Sequence, residues 1–231
     1  MIEWSYGVTA CAQRLRTILP HTLKSLAKAG FDAPRLFIDG CREDQLPQTI
    51  VGFDCVCRHP TIGAYGNWML TAWELYLRNA YADFYAIFED DMVMCLGTKQ
   101  YIESMDYPEN SYLNLFTFAT NEHKVFGKPK GWHLSDQLGK GAVALVFNRP
   151  AFITLLKQPH FVDEPYRRRQ FNNTDGAIQH AMTVQAGFRE YIHNPSLVQH
   201  IGTESILKHS KRAEAKTFPG EGWNVVDRMK S

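Results

Sequence analysis

The chain has 231 residues, 45% of them hydrophobic and 13% aromatic, with a formal net charge of +1. That length and apolar content suffice for one domain with a continuous core and argue against disorder as the default state. The near-neutral balance provides no global field for nucleic acid or an anionic membrane, so any polyanion must be met by a local patch.

The first residues carry an acid, Glu3, and no long apolar run, and no uncharged stretch of eighteen apolar residues follows, so the expected location is cytoplasmic, without a membrane partner. The five cysteines are scattered, and the Cys55/Cys57 pair has no second pair at zinc spacing; reduced, structural thiols are expected.

Strand-like and helix-like segments alternate from the start, which predicts an α/β fold with a mostly parallel central sheet flanked by helices. Residues 6–11 read as the first strand. A helix follows, with Pro20 in its first turn, Leu19, Leu23 and Leu26 at helical spacing, and Gly30 as its stop. Residues 35–40 and 53–57 read as strands. The glycines around Gly63 and Gly66 break the chain before a helix from about 67 to 78, with Asn67 as a possible cap. Residues 84–88, 112–118, 141–147 and 190–192 are further strands, and 150–156 reads as a helix. Thr174 or Asp175 opens another helix running to about 186. Beyond Ser205 the chain becomes charged and aperiodic, so the expected organisation is one domain over 1–207 and a tail or flap over 208–231.

The chemistry concentrates after the strand 84–88, which runs directly into Glu89-Asp90-Asp91. Ligands of open α/β sheets bind at the carboxyl ends of the strands. Adjacent carboxylates repel unless a cation or solvent intervenes, and hard divalent ions take oxygen ligands. An extended backbone sends Glu89 and Asp91 to one side and Asp90 to the other. A purely solvating triplet is the plain alternative, although Met92 and Val93 set the acids inside an apolar element.

On these residues the sequence resembles the GT-A glycosyltransferases, whose D-x-D-type motif ends a central strand and holds a metal on the donor's diphosphate. The stretches that look alike are the first strand with Thr9 and Ala10, the Phe37-Ile38-Asp39-Gly40 strand end, Gly63 to Trp68, and Pro195-Ser196-Leu197-Val198-Gln199-His200. Among these enzymes the chain looks most like the small base-J-associated and viral TET-associated glycosyltransferases of hydroxymethylated pyrimidines in DNA. The likeness runs from the Gly66-Asn67-Trp68 helix start through Gly131-Trp132 to Gly139-Lys140-Gly141-Ala142.

The resemblance implies a nucleoside diphosphate sugar, expected to be a UDP-sugar, as donor and Mn²⁺ or Mg²⁺ as cofactor. Asp91 and His200 would ligate the metal. Thr9, Ala10 and Asp39 would contact the nucleoside, and Arg14 a phosphate. Asn67, Glu89, Asp90, Ser205 and Lys208 also fall on the donor side. Asp175 sits where inverting members carry the general base, or serves as a helix N-cap. Trp132, in a loop, could stack on a sugar or base, and Arg167, Arg168 and Arg169 could meet acceptor phosphates if the acceptor is DNA. A polysaccharide or small-molecule acceptor, a nucleotidyltransferase, and a non-catalytic nucleotide-sugar-binding module are the other readings. Thr9 to Arg14 contains no glycine, which departs from the glycine-rich loop usual in nucleotidyltransferases.

Overall fold

Alternate residues of the central strands bury apolar side chains on opposite faces, and this two-sided burial sets the architecture. In a computed structural model, which describes residues 1–162, 174–202 and 214–229, strands β1 (Trp4–Cys11), β2 (Arg35–Asp39), β3 (Cys55–Arg58) and β4 (Phe84–Glu89) are followed by the short β5 (Met92–Met94). Then come β6 (Ser111–Asn114), β7 (Gly131–Leu134), β8 (Ala144–Asn148), β9 (Arg189–Asn194) and β10 (Val198–His200). The eight-stranded sheet has the order β3-β2-β1-β4-β8-β6-β9-β7, and β5 and β10 form a separate two-stranded ribbon. Parallel pairing links β3, β2, β1 and β4, and also β6 and β9, whereas β8 and β7 run antiparallel to their partners.

In β4, Ala86 and Phe88 join one core layer with Val8, Leu36 and Ile38, while Tyr85 and Ile87 join the opposite layer with Phe37 and Leu145. The first layer is closed by α1 (Leu19–Ala29), which buries Leu19, Leu23 and Leu26. Gly30 ends α1 with φ of 100°, its N–H reaching the carbonyls of Ala27 and Leu26, a conformation that glycine adopts without the steric cost of a Cβ. The second layer is closed by α2 (Gly63–Arg78), through Trp68, Ala72 and Leu75, and by α5 (Arg149–Lys157), which follows the short helices α3 (Thr98–Ser104) and α4 (Ala119–Val125). Downstream lie α6 (Pro159–Val162) and α7 (Thr174–Gln179), the latter continuing as a π-helical segment (His180–Gln185).

Among the described residues no helix is long and apolar enough to cross a membrane. All five cysteines are free thiols.

Helix α2 begins at Gly63, four residues before the expected start, because its cap comes from another element. Asp39, at the end of β2, accepts hydrogen bonds from the N–H groups of Ile62 and Gly63 at 2.8 and 3.0 Å. Residues 214–229, expected as tail or flap, are laid against the body. Gln199 exchanges hydrogen bonds with the backbone of Ala215, Glu122 accepts from Thr217, and Leu96 pairs with the backbone of Trp223 and Val225. The segment ends in α8 (Val225–Met229), with Ala215 and Val225 buried.

Candidate functional site

The acidic stretch is built by the junction of β4 with β5. Glu89 is the last residue of β4, Asp90 and Asp91 form the turn, and Met92 opens β5. The turn is buttressed from α1 by two buried hydroxyls, signalled in the sequence only by polar residues on that helix's apolar face. Thr22 donates to the carbonyl of Asp90 at 2.7 Å, and Ser25 accepts from the N–H of Met94 at 2.9 Å. The two chain directions of the β5–β10 ribbon pair His200 with Met92, and Ile201 donates its N–H to the carbonyl of Asp91 at 2.7 Å. Thus a residue 109 positions downstream in the chain is delivered to the turn by backbone pairing alone.

Glu89, Asp91 and His200 each present a ligand atom within 4.8 Å of the others. His200 Nε2 lies 2.9 Å from Asp91 Oδ2. Asp91 is 1% exposed, and its Oδ1 accepts no hydrogen bond. A buried carboxylate oxygen without a donor is costly unless a cation faces it. Gly202 lies against the same carboxylate, where an added Cβ would clash with Asp91 Oδ2. Carboxylate and imidazole donors converging on one point suit a divalent ion such as Mn²⁺, so these residues fit the group that the strand-end acids suggested.

Asp90, in the turn, faces the end of β1. Its carboxylate accepts from the N–H of Cys11 at 3.0 Å and from Arg14 at 2.8 Å. Arg14 is therefore engaged with Asp90 and also lies 2.5 Å from Asp91 Oδ2. Burial and the carboxylates of Asp91, Asp175 and Asp90 push the Glu89 carboxyl well above its ordinary range, with Arg14 pulling the other way. The field of the cluster thus favours added positive charge.

Asp175 belongs to the same neighbourhood. It lies in the first turn of α7, and its Oδ2 accepts a short hydrogen bond from the N–H of Gly141, in the loop before β8. That loop is pinned to the end of β4 by the N–H of Glu89, which donates to the carbonyl of Val143 at 2.8 Å. Tyr112, Leu145 and Glu190 lie beside Asp175, and burial pushes the Glu190 carboxyl up to about 7.

Of the other expected site residues, Thr9 sits opposite Glu89 in the β1–β4 register and donates to the carbonyl of Phe88 at 3.2 Å, while Ala10 is buried. Asp39 is at the same sheet edge, where Thr61 Oγ1 adds a third donor at 2.5 Å. Asn67 does not cap the helix: it is 3% exposed within α2, donating to the carbonyl of Phe37 and accepting from Arg58 Nε. Trp132 lies in strand β7 rather than a loop, stacked on Tyr101 with His193 against its edge, because pairing with β9 draws it into the sheet. Arg167, Arg168, Arg169, Ser205 and Lys208 lie outside the described residues.

No protein-family model matches the chain, and no curated protein is significantly similar to it in sequence. Solved structures are similar in fold. GalNAc-T7, crystallised with UDP, GalNAc and Mn²⁺, superposes with a TM-score of 0.62 at 10% identity over 96% of this chain and 45% of that one. The glycosyltransferase GlyE from Streptococcus pneumoniae TIGR4 gives 0.52 at 11% identity, over 93% of this chain and 58% of that one. A nucleotidyl transferase from Methanothermobacter thermautotroptrophicus, Mth528, gives 0.50 at 14% identity, over 82% and 85%. The chain therefore spans about half the length of the two glycosyltransferases it resembles. At such identities the likeness concerns the fold, and the fold is the GT-A type: one α/β domain on a mostly parallel sheet flanked by helices.

Proposed function

We propose that the chain is a metal-dependent glycosyltransferase that moves a sugar from a nucleoside diphosphate carrier, a UDP-sugar, to an acceptor hydroxyl. The observation that carries this reading is Asp91: a buried carboxylate with a donorless oxygen, in reach of Glu89 and His200, at the sheet edge where α/β proteins bind ligands. Asp91 and His200 would hold the ion, with Glu89 beside them. When bound, Mn²⁺ or Mg²⁺ supplies the positive charge that a departing diphosphate requires.

The chain's own residues do the rest. Thr9 and Ala10, at the end of β1, line the nucleoside side, and Arg14 supplies a guanidinium to a phosphate. Asp175 takes the proton of the acceptor hydroxyl as its oxygen bonds to the anomeric carbon and the bond to the diphosphate breaks. Its hydrogen bond from Gly141 helps to fix the carboxylate in place.

Incubation with a panel of nucleotide sugars and Mn²⁺ tests this. Release of nucleoside diphosphate with sugar transfer is the expected result, pyrophosphate release would identify a nucleotidyltransferase, and binding without turnover a non-catalytic module. DNA carrying hydroxymethylated pyrimidines is the first acceptor to offer; a product of unchanged mass removes that acceptor while leaving the transferase reading intact.

A further inference from the structure

In the protein alone an arginine faces the acidic turn, and it stands on the carboxylate that a metal ion would need. The side chain of Arg14 is 15% exposed, and its Nη1 lies 2.8 Å from Asp90 Oδ1 and 2.5 Å from Asp91 Oδ2. Asp90 is anchored in turn by the N–H of Cys11 and by the Thr22 hydroxyl on its carbonyl. One carboxylate is therefore a fixed tether for the guanidinium, and the other is a contact that can be given up. A guanidinium stays charged at any working pH, and a buried carboxylate stripped of every counterion is strongly disfavoured. A second cation arriving at the open oxygen of Asp91 meets repulsion from the first across a single carboxylate.

We infer that Arg14 is an internal cation latch. It neutralises Asp91 in the free protein, competes there with the divalent ion, and, once displaced, remains tethered to Asp90 and turns to the diphosphate of the donor. The inference rests on the metal-dependent reading above and adds a binding order to it. Diphosphate drawing the guanidinium away opens Asp91 to the ion, and the ion in place releases the guanidinium to the diphosphate. By linkage each ligand tightens the other through one side chain.

The test is titration of Mn²⁺, with and without UDP, into wild type, Arg14→Met and Arg14→Lys, each checked for folding by circular dichroism. Arg14→Met is expected to bind Mn²⁺ alone about tenfold more tightly than wild type, within the usual range of coupling between sites, and to lose most of the tightening that UDP brings. Arg14→Lys keeps a charge but is shorter and loses the planar guanidinium whose Nη1 meets both carboxylates, and is expected to bind Mn²⁺ alone about two- to threefold more tightly. It serves as the test should the Met variant not fold. Equal or weaker Mn²⁺ affinity in a folded variant, beside measurable binding by wild type, overturns the latch and leaves the metal site standing. No Mn²⁺ binding by any variant, with or without UDP, overturns the metal reading itself and the latch with it.

Discussion

The carboxyl ends of β2 and β4 flank β1 on its two sides, and each offers an aspartate at the same edge of the sheet. Asp39 at the end of β2 is half-buried and closed by three donors, from Thr61, Ile62 and Gly63. Asp91 just beyond β4 is 1% exposed, shares one oxygen between Arg14 and His200, and has no donor on the other. A carboxylate whose lone pairs are met by its own chain ties elements together. One held in the interior with an unmet oxygen is arranged for something from outside. The sequence position is similar in the two cases; the difference lies in what the following segment does. Asp39 is met by the start of α2, which comes after β3 and donates its N–H groups, whereas the segment directly after Asp91 is a strand whose backbone pairs with β10.

This contrast is most severely tested at Asp91. Replacement by alanine is expected to lower sugar transfer by on the order of 10³-fold or more, and to abolish the thermal stabilisation that Mn²⁺ gives with a nucleotide sugar. A variant that keeps that stabilisation would return Asp91 to the class of Asp39. Next in size is Asp175→Asn, expected to reduce turnover by about 10²- to 10³-fold as a lost general base, with the Mn²⁺- and donor-dependent thermal shift intact. If turnover survives while the melting temperature falls, the bond to Gly141 is the whole role of Asp175.

How much of this was legible in sequence follows the range of the forces involved. The strand before the acids was readable because residues 84–88 are apolar on both faces, and α1 because Pro20 and Gly30 bracket a helical repeat. The start of α2 was not legible, since its N-terminal N–H groups are met by Asp39 from another strand. Nor was the ribbon of β5 and β10, whose strands of three residues each are too short to show a period, although it is what delivers His200. The same holds for 214–229, where Ala215, Phe218, Trp223 and Val225 pack on the core without a strand or helix repeat and Gln199 and Glu122 add polar tethers. Arg14 was recognisable as a candidate for phosphate but not as the partner of Asp90 and Asp91, a pairing across 76 positions.

Smaller effects sharpen the comparison from the side of stability. Asp39→Ala removes a charged acceptor from three donors, and is expected to cost about 1–3 kcal/mol in chemical denaturation while leaving Mn²⁺ affinity unchanged. A loss of Mn²⁺ affinity in that variant would mean that the ends of β2 and β4 act as one site after all.

The last prediction concerns Glu190, a third buried carboxylate and one whose charge can be removed without touching the proposed ligands. Glu190 is 2% exposed, with Asn114 and Ser135 as its side-chain hydrogen-bond neighbours. Burial raises its carboxyl from the ordinary 4.5 to about 7, with Asp175 adding to the rise. The folded state therefore binds more protons than the unfolded state between those two values, and stability attributable to this group falls as pH rises through the window. Glu190→Gln keeps the shape and an acceptor for Asn114 but has no proton to lose. Relative to wild type it is expected to gain stability on the order of 1–2 kcal/mol above neutrality, with the difference shrinking toward acid pH. Urea unfolding of both proteins at pH 5 and pH 8 measures this. A difference that is constant across pH would show that the glutamate is ionised throughout, stabilised by its neighbours in the manner of Asp39 rather than held against its charge.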